Sequence, residues 1–228
     1  FNNILGAISG YADIICQRYS EDQRLTKYAQ MILSATTRAS EQINKLLTFS
    51  RKNKLQMTSF NVHSVMKKTV EQFRRKLDKC IDLQCHFDAK DAIVTGDVMH
   101  FQNIILNLVS NALDAMPHGG KLLIKTENVD PDKSFSQSHA YSVDPGHYLA
   151  ISVKDSGMGM DKNVLSHIFE PFFTTKSVDK GTGLGLATVY GIVKQNSGFI
   201  DVYSTPGEGT TFKIYLPSHE AVIKNYIK

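Results

Sequence analysis

Apolar residues in the first fifty positions recur at steps of three and four, the spacing of helices that bury one stripe. The pattern predicts one helix over residues 1–18 and a second from about residue 25 to residue 54. Polar residues at 19–23 predict a short turn, so the two helices should be antiparallel neighbours. Because a lone helical hairpin buries little apolar surface, we expect two chains to pair through residues 1–55 into a four-helix bundle.

After a Lys- and Asn-rich hinge at residues 51–59, strand-like and helical segments alternate. Period-two patterns predict strands at 81–87, 121–128, 147–155, 198–204 and 209–216. Helical spacing predicts helices at 62–76, 97–116 and 183–197. The polar stretch 129–146 predicts an exposed loop, and residues 161–182 look irregular after a short helix.

The predicted fold class is therefore α+β, with a helical hairpin followed by an α/β sandwich whose helices cover one face of a mixed sheet. We expect the hairpin at 1–55, the sandwich domain at 56–217 and a tail or linker at 218–228.

Composition narrows the class of protein. The sequence has 228 residues, no apolar run long enough to span a membrane and only three cysteines, which favours a cytoplasmic protein. Whether a parent protein has a membrane anchor upstream of these residues stays open. The net charge of +4 comes wholly from residues 1–55. This excess of basic residues forms either a solvated helix face or a docking surface for an acidic partner. No basic-aromatic motif indicates nucleic-acid binding.

Three asparagines, Asn103, Asn107 and Asn111, follow one face of the helix predicted at 97–116. Asparagine is a poor helix former, and apolar residues such as Leu106 are assigned to the buried side, so the amides call for a functional reason. Amide oxygens suit a hard cation such as Mg²⁺ that bridges to substrate phosphates.

Two glycine clusters suggest a nucleotide site. The first cluster is Asp155-Ser156-Gly157-Met158-Gly159, whose carboxylate could accept a hydrogen bond from an exocyclic amine. The second is Gly181-Thr182-Gly183-Leu184-Gly185, which precedes a helix whose N-terminus favours phosphate. Between them, the Phe-rich segment 169–176 looks like a lid held by its aromatic residues. It ends at Lys176, which either reaches a phosphate or is a solvated surface lysine.

Five motifs occur in the order found in the ATP-binding domain of sensor histidine kinases. They are Asn107-Leu-Val-Ser-Asn111-Ala-Leu-Asp114-Ala, Asp155-x-Gly157-x-Gly159, Phe169-Glu-Pro-Phe172-Phe173, Gly181-x-Gly183-x-Gly185 and Gly207-x-Gly209-Thr210. Residues 60–216 resemble that domain, and residues 1–55 resemble the dimerisation and phosphotransfer domain of the same family. The resemblance implies a Bergerat-type fold, shared with gyrase, heat-shock chaperone and mismatch-repair ATPases.

The resemblance also implies roles for single residues. Asp155 would bind the adenine amino group, Asn111 with Asn107 would hold Mg²⁺, and residues 161–182 would form the ATP lid. Asn107 and Lys176 are the implied catalytic residues. The implied ATP-binding residues are Asn111, Asp114, Asp155, Gly157, Gly159, Phe172, Thr175, Lys176, Gly181, Thr182, Gly183, Leu184, Gly185 and Thr210.

The first five residues, Phe1-Asn2-Asn3-Ile4-Leu5, resemble the His-Asp-Phe-Asn-Asn pattern of nitrogen-regulator-like kinases. The pattern places the phosphoacceptor histidine two positions before Phe1, and none of the eight histidines present fits it. We therefore expect that a chain without this histidine does not phosphorylate itself. Asn3 is a candidate for positioning a water in dephosphorylation of the partner, or simply a polar residue on an exposed turn.

The implied reaction is phosphoryl transfer from Mg²⁺·ATP to a histidine, then to an aspartate of a response regulator receiver domain. ATP hydrolases of the superfamily place a glutamate where this chain has Asn107, an amide with no basicity, which favours transfer over hydrolysis. The Phe-Asn-Asn hairpin argues against a serine/threonine kinase relative. An ATP hydrolase and a non-catalytic dimerising module remain as alternatives.

Overall fold

The computed structural model describes residues 2–50, 56–74, 77, 79–131, 146–176 and 181–218. The side chains of residues 2, 38 and 41–50 are not described. Several predictions therefore lie outside the described residues, namely those for Phe1, the hinge at 51–55, most of the loop at 129–146, lid residues 177–180 and the tail from 219. The chain forms two compact units, Phe1–Asn53 and Lys54–Lys228.

The first unit is a helical hairpin, with α1 at Asn2–Arg18 and α2 at Gln23–Ser50. Asp22 ends the turn and caps α2, since its Oδ1 accepts hydrogen bonds from the main-chain N–H groups of Arg24 and Leu25, at 2.9 and 3.1 Å. The helices meet through small side chains. Ala12 and Ala29 are buried, and the Ser9 hydroxyl donates to Thr36 Oγ1 across 3.1 Å.

Much of the apolar surface of the hairpin stays exposed. Ile4 on α1 and Tyr28 on α2 are each 62% exposed, and Ile8 and Ile32 also face solvent. One copy of the hairpin therefore buries only part of its predicted apolar stripes.

The second unit is a two-layer α/β domain. Its strands are β1 at Thr58–Asn61, β2 at Ile81–Phe87, β3 at Ile93–Gly96, β4 at Gly120–Val129, β5 at Tyr148–Asp155, β6 at Phe199–Thr205 and β7 at Gly209–Pro217. Its helices are α3 at Val62–Arg74, α4 at Val98–Asp114, α5 at Lys162–His167 and α6 at Gly185–Gln195. Five strands form one sheet in the order β2-β4-β5-β7-β6, in which only the β2–β4 pair is parallel.

The core lies between one face of this sheet and helices α3, α4 and α6. Along β5, alternate residues such as Ile151 point into it and are completely buried, as a strand with one covered face requires. Met66 of α3, Ile105 of α4 and Val189 of α6 pack against them and are equally buried. The predicted fold class, a helical region followed by an α/β domain with its helices on one face, is confirmed.

Three details differ from the sequence predictions. The hinge predicted at 51–59 is wrong from residue 58 onward, because β1 pairs there with β3 in a separate antiparallel two-stranded sheet. Strands of four residues are too short to show a clear alternation. Leu106 is not on the buried side of α4 but is 36% exposed. No helix in the described part of the chain is both long enough and apolar enough to cross a membrane.

Candidate functional site

Asp155, the last residue of β5, is the buried acid of the candidate site. Its side chain is 4% exposed, and its Oδ1 accepts hydrogen bonds from the N–H groups of Gly157 at 2.8 Å and Thr210 at 3.3 Å. Both bonds end on the same oxygen, and neither engages Oδ2. The carboxylate is thus fixed by one oxygen and offers the second as an acceptor.

Burial raises the pKa of the Asp155 carboxyl above its usual value, because a charge is less stable away from water. The N–H groups of Gly157 and Thr210 stabilise the charged form and oppose that rise in part. Burial is the larger of these effects, so the fold maintains this carboxylate at a cost in stability.

The glycines after Asp155 allow three chain segments to meet at close range. A Cβ at Gly159, whose φ is +65°, would collide with the carbonyl oxygen of Thr205. A Cβ at Gly157 would lie 2.5 Å from the carbonyl oxygen of Ala115, just beyond α4, and Met158 N–H donates to that same oxygen at 3.1 Å. These glycines therefore serve packing around Asp155, a role that their spacing in the sequence did not predict.

The asparagine residues of α4 lie on a different element from Asp155. Asn107 Nδ2 donates to the carbonyl oxygen of Asn103 at 2.9 Å, and its Oδ1 lies 3.0 Å from where a Cβ on Gly185 would be. The amide of Asn107 thus faces the first residue of α6. Because a side chain at position 185 would crowd Asn107, the last glycine of the second cluster lets α6 approach α4 closely.

Oxygens from Asn111 and Asp114 converge on one cation, the ammonium group of Lys176. The Nζ atom lies 2.5 Å from Asp114 Oδ2 and 3.3 Å from Asn111 Oδ1. The side chain of Asp114 is 48% exposed and that of Lys176 is 33% exposed. At such exposure an ion pair contributes about 1 kcal/mol or less, so another cation could replace the lysine at little cost.

The residue before α6 has no side chain that caps the N-terminus of that helix. Side chains cap three other helices of this unit: Asn61 caps α3, Asp97 caps α4 and Asp161 caps α5. Leu184, at the same position before α6, makes no side-chain hydrogen bond to the helix. The first N–H groups of α6 can therefore bind an anion, with the helix dipole adding to the attraction.

The Phe-rich segment follows its prediction only in part. Phe169 is partly buried and packs against the ring of Tyr190, with the ring centroids 5.1 Å apart. Phe172 instead is 63% exposed with a φ of +70°, and its N–H donates to the carbonyl oxygen of Gly183 at 3.0 Å. The expectation that the aromatic residues jointly hold the segment is thus wrong for Phe172, since its backbone makes the contact and its ring does not.

The remaining predicted residues are less tightly placed. Thr175 is exposed, and Thr182 Oγ1 accepts a hydrogen bond from Leu184 N–H at 3.4 Å. Gly181 adjoins the side chain of Thr174. Asn3 is an exposed residue of α1, in the other unit.

Sequence reasoning missed Ser204, a half-buried residue of β6 whose hydroxyl accepts a hydrogen bond from Met160 N–H at 2.8 Å. Its position in an ordinary strand pattern gave no signal. Only the pairing of β6 with β7 places it beside Thr210.

Comparison with known proteins identifies the family. Residues 96–220, over half of the chain, match the model of the histidine kinase-, DNA gyrase B-, and HSP90-like ATPases. The chain belongs to this family. Residues 1–54 match the His Kinase A (phospho-acceptor) domain, so the two matches together identify a histidine kinase core.

Two similar proteins are kinases of signal transduction. The kinase core is 37% identical over 217 residues to sensor kinase CckA of Brucella abortus, across 95% of this chain and 23% of that protein. It is 32% identical over 216 residues to the signal transduction histidine-protein kinase AtoS of Escherichia coli, across 94% of this chain and 33% of that protein. The chain therefore spans about a quarter to a third of the length of these relatives.

Solved structures support the same architecture. Full-length ShkA in complex with AMPPNP superposes with a TM-score of 0.72 over 96% of this chain and 44% of that one, at 19% identity, which supports the fold alone. Histidine kinase ThkA in complex with the response regulator TrrA gives a TM-score of 0.62 over 94% of this chain and 57% of that one, at 25% identity.

The raised pKa of Asp155 predicts an unusual dependence of stability on pH. Because the folded chain binds this proton more tightly than the unfolded chain, the free energy of unfolding should fall as the pH rises from the usual carboxyl pKa through the raised one. Asp155→Asn removes that titration. Its melting temperature should therefore exceed that of the wild type at neutral pH, and the difference should shrink on acidification.

Thermal unfolding at a series of pH values measures this difference. Asp82→Asn, at an exposed carboxylate of β2, is the matched control and should show no such trend. A wild-type chain more stable than Asp155→Asn at neutral pH would contradict the cost assigned to burial.

Proposed function

We propose that the kinase core binds Mg²⁺·ATP, transfers the γ-phosphoryl group to a histidine, and passes it on to an aspartate of a response regulator receiver domain. The observation that carries this proposal is the buried carboxylate of Asp155, with one oxygen held by main-chain N–H groups and the other available. A buried acceptor of this kind suits the exocyclic amine of adenine, since an uncompensated charge is costly and an N–H donor reduces that cost.

The phosphate groups would lie between α4 and α6. The open N-terminus of α6 offers N–H groups to an anion, and Lys176 brings a positive charge to the same helix α4 that carries the amides. The residues fit Mg²⁺, because the oxygens of Asn111 and Asp114 already converge on one positive charge. These two residues, with Asn107 as a further ligand, would hold the ion, which neutralises phosphate charge when bound.

The state of Asn107 favours transfer to a side chain over hydrolysis. Its amide cannot accept a proton at neutral pH, and its Nδ2 is engaged with the carbonyl oxygen of Asn103. A water attacking the γ-phosphate would thus find no base at this position, whereas phosphoryl transfer to an oriented imidazole depends chiefly on positioning.

The helical unit would supply the dimer and the partner surface. Exposed apolar residues on both helices, among them Ile4, Ile8 and Ile32, form the surface that a second hairpin would cover. The positive charge within residues 1–55 suits an acidic receiver domain. Asn3, exposed on α1, would position a water when the receiver is dephosphorylated, as in the nitrogen-regulator-like subgroup.

Autophosphorylation is the direct test of the proposed function. The chain is extended by His-Asp before Phe1, following the family pattern, and incubated with γ-labelled ATP and Mg²⁺. We expect label that is labile in acid and stable in base, and that moves to a purified receiver domain. Asp155→Asn should abolish the labelling, whereas Asp82→Asn should retain it. Absence of label on a protein that binds ATP would overturn the kinase assignment.

The metal proposal predicts a selective loss in Asn111→Ala. This variant should lose about 10-fold or more in ATP affinity with Mg²⁺ present, the scale of one interaction with a charged group. Its affinity in EDTA should stay unchanged. Isothermal titration under both conditions measures the difference, and Asn103→Ala, one step along the same face, is the control. Equal losses with and without Mg²⁺ would exclude Asn111 as a ligand.

The dimer proposal predicts that the exposed stripe sets the oligomeric state. Light scattering at micromolar concentration should give the mass of a dimer for the wild type. Ile32→Glu should give a monomer, because a charge cannot be buried unpaired in the bundle. Ile93→Glu, at an exposed apolar residue of the other unit, should leave the dimer intact. A monomeric wild type would refute the proposal.

A further inference from the structure

The hydroxyl of Ser204 joins the two turns that enclose Asp155. Its Oγ lies 2.8 Å from Met160 N, 2.9 Å from Thr210 Oγ1 and 3.2 Å from the carbonyl oxygen of Gly209. Met160 belongs to the turn that follows β5, and the other two residues begin β7. One side chain of β6 therefore contacts both segments that hold the buried carboxylate.

The chemistry of these three neighbours determines the direction of each hydrogen bond. A hydroxyl has one hydrogen and two acceptor lone pairs. Met160 N–H can only donate to Ser204, and the Gly209 carbonyl can only accept from it. All three contacts are satisfied together only if Ser204 donates to Gly209 and the Thr210 hydroxyl donates to Ser204.

Thr210 then has no hydrogen left for a ligand. Its own N–H is bonded to Asp155 Oδ1, so its backbone adjoins the carboxylate, and the residue is 6% exposed. With its hydroxyl hydrogen directed at Ser204, its oxygen presents lone pairs only. The carboxylate of Asp155 likewise presents only acceptors.

We propose that Ser204 is a positioning residue for base selection. Because Ser204 accepts the hydroxyl hydrogen of Thr210, this corner of the site presents only hydrogen-bond acceptors. Such a surface favours a purine with a 6-amino group over one with a 6-carbonyl group. The inference rests on the proposed ATP site. A 6-carbonyl oxygen here would meet only lone pairs and would lack the hydrogen that a 6-amino group offers to the buried acceptors.

Without Ser204, the Thr210 hydroxyl could rotate and donate, which would weaken the rejection of a carbonyl. Ser204→Ala should therefore reduce the ratio of the Kd for inosine triphosphate to the Kd for ATP by about 3- to 10-fold, the scale of one neutral hydrogen bond. Ser204→Thr, which keeps the hydroxyl, should restore the ratio. In a Thr210→Val background, Ser204→Ala should change the ratio no further, because its effect passes through that hydroxyl.

The experiment measures both dissociation constants by isothermal titration on the full chain, with circular dichroism to verify folding. ATP and inosine triphosphate are compared because both lack the 2-amino group of guanine, so they differ only at ring position 6 and in the hydrogen that hypoxanthine carries on the adjacent N1. If Ser204→Ala does not fold, Ser204→Cys replaces it, since a thiol is only a weak donor and acceptor.

The outcomes separate the inference from the function on which it rests. A wild-type chain that binds neither nucleotide would refute the ATP site and the inference with it. ATP binding with an unchanged ratio in Ser204→Ala would refute the inference alone. Equal losses for both nucleotides would also refute it, because they would show that Ser204 only stabilises the two turns.

Discussion

The burial of one carboxylate is the constraint on which the proposed nucleotide site of this kinase core depends. Asp155 can be ionised at 4% exposure only because main-chain N–H groups from two different segments meet at its Oδ1. That meeting requires glycine at 159 and 209, where any Cβ would collide with the carbonyl oxygens of Thr205 and Asp155 respectively. The close approach of these turns and the buried charge are therefore one feature.

The fold extends this corner into a site through its topology. Strand β5 is central in the sheet and delivers Asp155 at its end, while the end of α4 is bonded to the turn that follows, through Met158 and Ala115. The same helix carries Asn107 and Asn111, both half-buried. The proposed acceptor for a base and the proposed oxygens for a cation are thus attached to neighbouring ends of two rigid elements, which fixes their geometry before any ligand arrives.

Periodic sequence patterns predicted the helices and strands, but they did not predict contacts between segments that lie far apart in the chain. Helix α4, strand β5 and the order of the motifs were readable, because periodicity and glycine spacing are local properties. The pairing of β1 with β3 and the contact of Ser204 with Met160 were not, since each joins segments that lie tens of residues apart in the chain. Leu106 was misassigned because a helix face can be apolar and still lie outside the core.

The position of Asp114 at the last turn of α4 has a consequence for the helix itself. The carboxyl end of a helix carries partial negative charge from its unpaired carbonyl groups, so a carboxylate there is electrostatically unfavourable. The ammonium group of Lys176 offsets this repulsion in the present structure. The end of α4 thus has an electrostatic reason to retain a cation whether or not a nucleotide is bound, and the lysine acts as the counter-ion that the chain itself provides.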